Sequence, residues 1–396
     1  MTFRNATSGS LLILGASTRA AAFSALAAGL RPSCADQFAD ADLASHSPVV
    51  AVEGYPQGLD AAARNAPDGP WMYTGALENH PTLIDRIAAQ RPLLGMGGAV
   101  LSRIRDPWTV SRVLRAAHLA VPEIRRTPQD LGHAERWLRK SRSLSAGAGI
   151  GHWQLQPAGT QRPTSDRRQR THYFQRYVEG RACAAIYLAA AGQARLLGAT
   201  EQLLVSGTAQ GGHFRYAGSL GPLPADARRD SRLQRLGNVL AEFFHLRGLF
   251  GVDFIDDGRE IWPVEINPRY TASIEILERA ASFSAVGAHV AACRDEQIPE
   301  IPPPAGDSWH GKRILYANHD IQIDDALTAK ALAARDSDAK PLVADIPHAG
   351  TAIKRGQPVM TVFAAAATHD EMVSALASTT HSWNDALMGC RTKPFA

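Results

Sequence analysis

Two carboxylates and a carboxamide stand in one short stretch, Gly251 to Thr271 (GVDFIDDGREIWPVEINPRYT), at a spacing that can bring them together. An apolar run over Leu249, Phe250, Val252, Phe254 and Ile255 meets Asp256-Asp257-Gly258, and Asp-Gly between apolar alternations is a hairpin signal. The return strand runs from Ile261 to Ile266. Side chains alternate across a strand, so Glu265 and Asn267 share one face, and a fold about Asp257-Gly258 sets Asp253 within a position or two of Glu265. Like charges so placed raise one another's pKa and call for a cation between them. The three donors are hard oxygens, which suits Mg²⁺, with Mn²⁺ as an alternative, rather than zinc. Arg269 lies just beyond. Taken alone, the ribbon also reads as a surface hairpin with solvated acids.

A second chemical signal is a lysine. Only six of the 42 basic residues are lysines, and Lys140 is the only one before Lys312. A compact ammonium and a planar guanidinium are not interchangeable where a point charge is needed. Behind Lys140 comes Ser145 to Gly151 (SAGAGIG), whose glycines at 147, 149 and 151 let backbone N–H groups approach phosphates and form an anion nest. The same turn also reads as a solvent loop.

The elements around these residues are legible in outline. Strands are expected at Leu11 to Leu14, Val49 to Val52, Trp71 to Thr74 and Pro92 to Gly95, with helices at Ser17 to Leu30 and Pro81 to Gln90, an alternation that implies a parallel α/β sheet. Cys34 to Asp42 reads as an acidic loop. Gly15 to Ala20 occupies the place of a dinucleotide phosphate loop but lacks the G-x-G-x-x-G spacing, so no dinucleotide site is assigned. Gly15 and Arg19 are instead expected near a substrate. Asp106-Pro107 supplies the N-cap and first residue of a helix to about His118. Gln129 to Leu138 reads as helical, Gln161 to Arg170 as a solvated basic run, and His172 to Val178 as a strand ending in Glu179-Gly180. Cys183 to Ala189 and Ala194 to Thr200 read as a hairpin continued by Glu201-Gln202. Gln210 to His213 reads as a loop and Asp230 to Leu246 as an amphipathic helix. Thr271 to Ala292 is mostly helical. Glu300 to Pro304 is a proline-rich break, and the remainder reads as strand-rich.

Composition narrows the function classes. At 396 residues the chain has room for about two or three domains. Apolar and charged contents of 45% and 20% are those of an ordinary globular protein, and a net charge of +4 with scattered arginines argues against a nucleic-acid partner. Four dispersed cysteines, none in C-x-x-C, exclude a disulfide scaffold and a structural zinc site and fit a reduced cytoplasmic setting. Leu11 to Leu30 is interrupted by Gly15 and Arg19, and no run has the length of a membrane span, so no membrane partner is expected.

A lysine before a glycine-rich turn, a strand ending in YVEG, and a D…E-x-N-x-R hairpin occur in that order, and here the sequence resembles the ATP-grasp superfamily of carboxylate–amine ligases. The resemblance covers about residues 105 to 295, with VEINPR its most specific part. It implies an α/β (α+β) architecture: an ATP-grasp fold behind an N-terminal Rossmann-like pre-ATP-grasp domain, with a small C-terminal β-rich domain. The divisions expected are 1–104, 105–298 and 299–396. By position it implies that Lys140 binds α/β-phosphate oxygens and that Gly147, Gly149 and Gly151 close over the phosphates. Gln175, Tyr177 and Val178 would form the adenine hinge, with Glu179 near the ribose and Gln202 near the nucleotide. Asp253, Glu265 and Asn267 would hold one or two Mg²⁺, and Arg269 would face the transferred phosphoryl group. Lys140 and Arg269 would carry the catalytic charge.

The activity so implied is ATP-dependent amide formation from a small carboxylate and an amine through an acyl phosphate, with a homodimer compatible. The chain departs from the pattern at Pro107, where relatives place a lysine that Arg105 or Arg112 must replace or that is missing. It also has Ser141 after Lys140, and Asp253 in place of a longer Glu. The segments GASTRAAAFSA, ADQFADADL and YTGALENHPTLID look similar to ATP-grasp proteins of methanopterin and methanofuran-type cofactor synthesis, among them tyramine–glutamate ligase. Two alternatives stay open: an ATP-dependent carboxylase-like subunit, and a nucleotide-binding regulatory protein whose catalysis has lapsed.

Overall fold

The computed structural model describes residues 9–131, 135–144, 147, 149–153, 171–205, 214–303, 306 and 308–390. Gln161 to Arg170, Gln210 to His213, and Ser145, Ala146 and Ala148 of the glycine-rich turn lie outside the described residues. The first sheet is parallel, in the order β3-β2-β1-β4, from Ser10–Leu14 (β1), Arg31–Asp36 (β2), Val49–Ala51 (β3) and Trp71–Tyr73 (β4). Helix α1 (Arg19–Ala27) follows β1, and Trp71 also bridges to Leu93 in parallel, where a strand was expected. Cys34 to Asp42 is not the expected loop. Cys34, Ala35 and Asp36 complete β2, and Asp40 and Asp42 stand at the start of the short helix α2 (Ala41–Ala44).

A small antiparallel sheet forms one wall of the central region, in the order β5-β8-β6-β7, from Ile124–Arg125 (β5), Trp137–Ser141 (β6), Gly151–Trp153 (β7) and His172–Arg176 (β8). The helix expected over Gln129 to Leu138 is absent among the described residues. One 3-10 turn, Pro128–Asp130, precedes strand β6. Alternation explains the difference: Trp137 joins Leu131, Phe174 and Trp153 in a small core on one face, while Leu138 and Lys140 take the other.

The other wall is an eight-stranded antiparallel sheet, β13-β12-β9-β10-β11-β14-β18-β16. Its strands are Arg181–Ala190 (β9), Gln193–Leu204 (β10), Tyr216–Gly221 (β11), Gly248–Asp256 (β12), Ile261–Asn267 (β13), Trp309–Tyr316 (β14), Val343–Ala344 (β16) and Pro358–Ala366 (β18). β9 is buried from Cys183 to Ala190, because helices cover both faces of the sheet there. Tyr187 stacks on Phe250 at 4.8 Å and donates to the Leu233 carbonyl of the long helix Ala227–Phe244 at 2.9 Å. The C-terminal segment adds β14, β16 and β18 to this sheet, and a two-stranded ribbon, Ile321–Gln322 with Ala352–Ile353, stands beside it. The segment also carries two helices the sequence reading did not foresee, Asp325–Ala333 and His369–Met388, the latter opened by a capping box between Thr368 and Glu371. All four cysteines are free thiols, and three of them are buried. No described helix is long and apolar enough to cross a membrane.

Candidate active site

The hairpin β12–β13 sets the acids. Its turn is held by Asp257, whose Oδ1 accepts from the Arg259 and Glu260 N–H groups, with Gly258 at a φ of +82° that few other residues adopt. The register that follows places Asp253 directly across from Glu265 and Gly251 across from Asn267, with a bulge just after Asp253. Asn267 Nδ2 donates to Asp253 Oδ2 at 3.2 Å, and Gln202 Nε2, arriving on β10, donates to Asp253 Oδ1 at 2.9 Å. Burial, and then the charge of Glu265, pushes the Asp253 carboxyl up to about 7.

Among the described residues no three His, Cys, Asp or Glu side chains are grouped to hold a metal. The set here is two carboxylates and a carboxamide. Crowded, partly desolvated oxygens of this kind fit a hard divalent cation, whose charge would relieve the repulsion that raises Asp253. The Asn267 amide presents its nitrogen to Asp253 and its oxygen to Arg269, so joining a shared cation would require it to turn over.

Lys140 faces this hairpin from the small sheet. It pairs with Tyr173 across β6–β8, is buried, and donates from Nζ to the Val264 carbonyl at 2.9 Å and to Gln175 Oε1 at 3.1 Å. Lys140, Gln175, Tyr173, Gly147, Arg105 and Glu265 line one cleft between the two walls. Its volume is about 80 Å³, smaller than the roughly 300 Å³ at which small-molecule sites begin. A larger cavity of about 210 Å³ lies under Ile301 to Pro303. Among the described residues Arg195 is the only charged side chain lining it.

The remaining expected residues fall out as follows. Gly147 and Gly149 adopt φ of +79° and +74°, and a Cβ at Gly147 would run into the Phe214 carbonyl. Gly151 lies on strand β7, paired with Arg139. The Tyr177 N–H is taken up by the Arg136 carbonyl at 2.8 Å, and Val178 follows it. Glu179 is exposed and stands 3.8 Å from Arg136, at the rim rather than in the cleft. Arg19, expected near a substrate, is instead buried between Glu275, Asp345 and Asp42.

Two residues beyond those assignments, Glu78 and Asn79, enter the site from the N-terminal part of the chain, and Arg105 joins them. Arg269 Nη2 donates to Glu78 Oε1 at 2.8 Å, with the Glu78 side chain fully buried and that of Arg269 11% exposed. Burial alone would raise the Glu78 carboxyl, but the charge and hydrogen bond of Arg269 outweigh it and hold the pKa below its ordinary value. Arg105 reaches Glu265 Oε1 at 3.0 Å and Asn79 Oδ1 at 2.7 Å, whereas Arg112 is exposed. No local pattern marks Glu78 or Asn79; they sit on a single 3-10 turn, Leu77–Asn79, after β4.

The sequence profile of the ATP-grasp domain matches residues 104–273. A curated relative, an uncharacterised protein of Methanocaldococcus jannaschii, is 26% identical over 193 residues, which is 48% of this chain. The match spans only 41% of that relative's length. Among solved structures, N5-carboxyaminoimidazole ribonucleotide synthetase of Thermus thermophilus superposes with a TM-score of 0.67 at 16% identity, over 98% of this chain and 100% of that one. The L-amino acid ligase of Bacillus licheniformis gives 0.67 at 14% identity, over 96% and 98%. The biotin carboxylase of Campylobacter jejuni gives 0.65 at 13% identity, over 92% and 89%. These likenesses establish the fold.

Proposed function

We propose that this chain, which carries an ATP-grasp domain over residues 104–273, is an ATP-dependent ligase that joins a small carboxylate to an amine. The observation that carries the reading is the register of the hairpin: Asp253 stands opposite Glu265 with Asn267 beside them, and Glu265 lines one cleft with Lys140. Asp253, Glu265 and Asn267 would hold Mg²⁺ or Mn²⁺. The cation, when bound, would offset charge on the phosphate oxygens. Lys140 would bind phosphate oxygens from the opposite wall, and the turn through Gly147 and Gly149 would cover them and exclude water. Arg269 would neutralise the phosphoryl oxygens and the acyl phosphate. The substrate carboxylate attacks the γ-phosphorus and releases ADP. The amine then attacks the acyl carbon, phosphate leaves, and the amine gives up a proton to form the amide.

The acid is best taken as an amino acid or small polyfunctional acid, in keeping with the named activity of the Bacillus licheniformis protein. Free cysteines fit a cytoplasmic setting, and the division into 1–104, 105–298 and 299–396 belongs to the same proposal. The test is ADP release with Mg²⁺ across a matrix of amino acids and amines, with glutamate plus tyramine as one arm and bicarbonate as another. Amine-dependent ADP release that vanishes in Glu265→Gln is the expected result. Bicarbonate-stimulated release with no amine would convert the reading to a carboxylase. ATP binding without ADP formation in any arm would defeat the ligase reading.

A further inference from the structure

The two acids of the hairpin are unequally compensated. Asp253 receives hydrogen bonds from the neutral amides of Gln202 and Asn267. Glu265 holds a full cation, the Arg105 guanidinium, whose Nη1 donates to Oε1 at 3.0 Å. The other arm of that guanidinium, Nη2, donates to Asn79 Oδ1 at 2.7 Å and to the Leu144 carbonyl at 3.3 Å. One side chain, 14% exposed, therefore ties together the N-terminal turn, the entrance of the glycine-rich segment and the acid assigned to the metal. A divalent cation and a guanidinium on one carboxylate repel each other, so each weakens the other's hold on Glu265.

We propose that Arg105 is the resident counter-ion of Glu265, displaced when metal and nucleotide bind and transferred to the phosphates. The proposal rests on the nucleotide and metal reading above. Arg105 stands at the C-terminal end of the helix Gly98–Ile104. Arg105 also links the two walls of the cleft, Glu265 on one and the Leu144 carbonyl on the other.

The experiment is a Mn²⁺ titration of the nucleotide-free protein, reading free Mn²⁺ by electron paramagnetic resonance, alongside ATP binding in EDTA by calorimetry. Arg105→Ala is expected to bind Mn²⁺ about tenfold more tightly than wild type, the size of one charge–charge coupling, and to bind metal-free ATP more weakly. Arg105→Lys, which keeps the charge, should stay near wild type in the Mn²⁺ titration. A merely structural role would weaken both affinities together. Should Arg105→Ala melt early, Arg105→Met keeps the packed stem and carries the same expectation. If Glu265→Gln loses Mn²⁺ while the Arg105 variants gain nothing, the counter-ion role falls and the metal site stands. If Glu265→Gln binds Mn²⁺ like wild type, both fall.

Discussion

At the scale of single residues, the site depends on charges that are held rather than merely present. Lys140 is buried with two hydrogen-bond acceptors, so its ammonium is already aimed when a phosphate arrives. Lys140→Ala should weaken ATP binding by about tenfold or more, the range of a charge-assisted hydrogen bond; an unchanged calorimetric affinity would remove it from the site. Glu78 plays a different part. It touches Arg269 from behind, and its side chain is fully buried. Glu78→Ala would strand a buried guanidinium, and urea denaturation should report a loss of about 3–5 kcal/mol. A loss near zero would mean that water reaches Arg269 in its place.

At the scale of elements, the hairpin and the β6–β8 pair do the positioning, and each does so through period-two alternation. The bulge after Asp253 keeps that carboxylate opposite Glu265 while Phe254 shifts to face Pro263. The glycine-rich turn works by backbone conformation. Gly147 has a φ of +79°, and a Cβ there would meet the Phe214 carbonyl, so Gly147→Ala should open the turn. The expected outcome is weaker ATP binding with little change in the melting temperature, since Gly147 belongs to none of the buried core clusters; unchanged ATP affinity would show that Gly147 does not help cover the nucleotide.

At the scale of the whole molecule, three parts of the chain meet in one buried ion network. Arg19 lies among Glu275, Asp345 and Asp42, and Lys312 Nζ donates to Glu275 Oε2 at 3.1 Å. The helix start at Asp42 is stitched to the C-terminal segment, its carboxylate accepting from the Asp345 and Ile346 N–H groups at 3.0 Å each. Asp40 is buried beside this network. Burial, then the charges of Asp345, Asp42 and Asp36, push it up to about 9 against the opposing pull of Arg19. A carboxyl raised in the fold adds stability that is full below its unfolded pKa of about 4 and is lost as pH rises through the folded value. The melting temperature of the wild type should therefore fall between about pH 5 and about pH 9 more steeply than that of Asp40→Asn. Parallel slopes would show that Asp40 is ionised throughout.

What was legible in the sequence was local. The hairpin, its Asp-Gly turn and the shared face of Glu265 and Asn267 follow from alternation and turn chemistry within one short stretch, and the parallel sheet follows from alternating strands and helices. The same local logic failed at Gln129 to Leu138, where a few residues fit a helical period but the apolar positions serve a strand with its own small core. The tertiary structure alone decided the partners of the charges. Arg105 meets Glu265 across 160 positions, Arg269 meets Glu78 across 191 and Arg19 meets Glu275 across 256. Such pairs leave no periodic trace in sequence, because burial and the packing of separate sheets determine which carboxylate each guanidinium can reach.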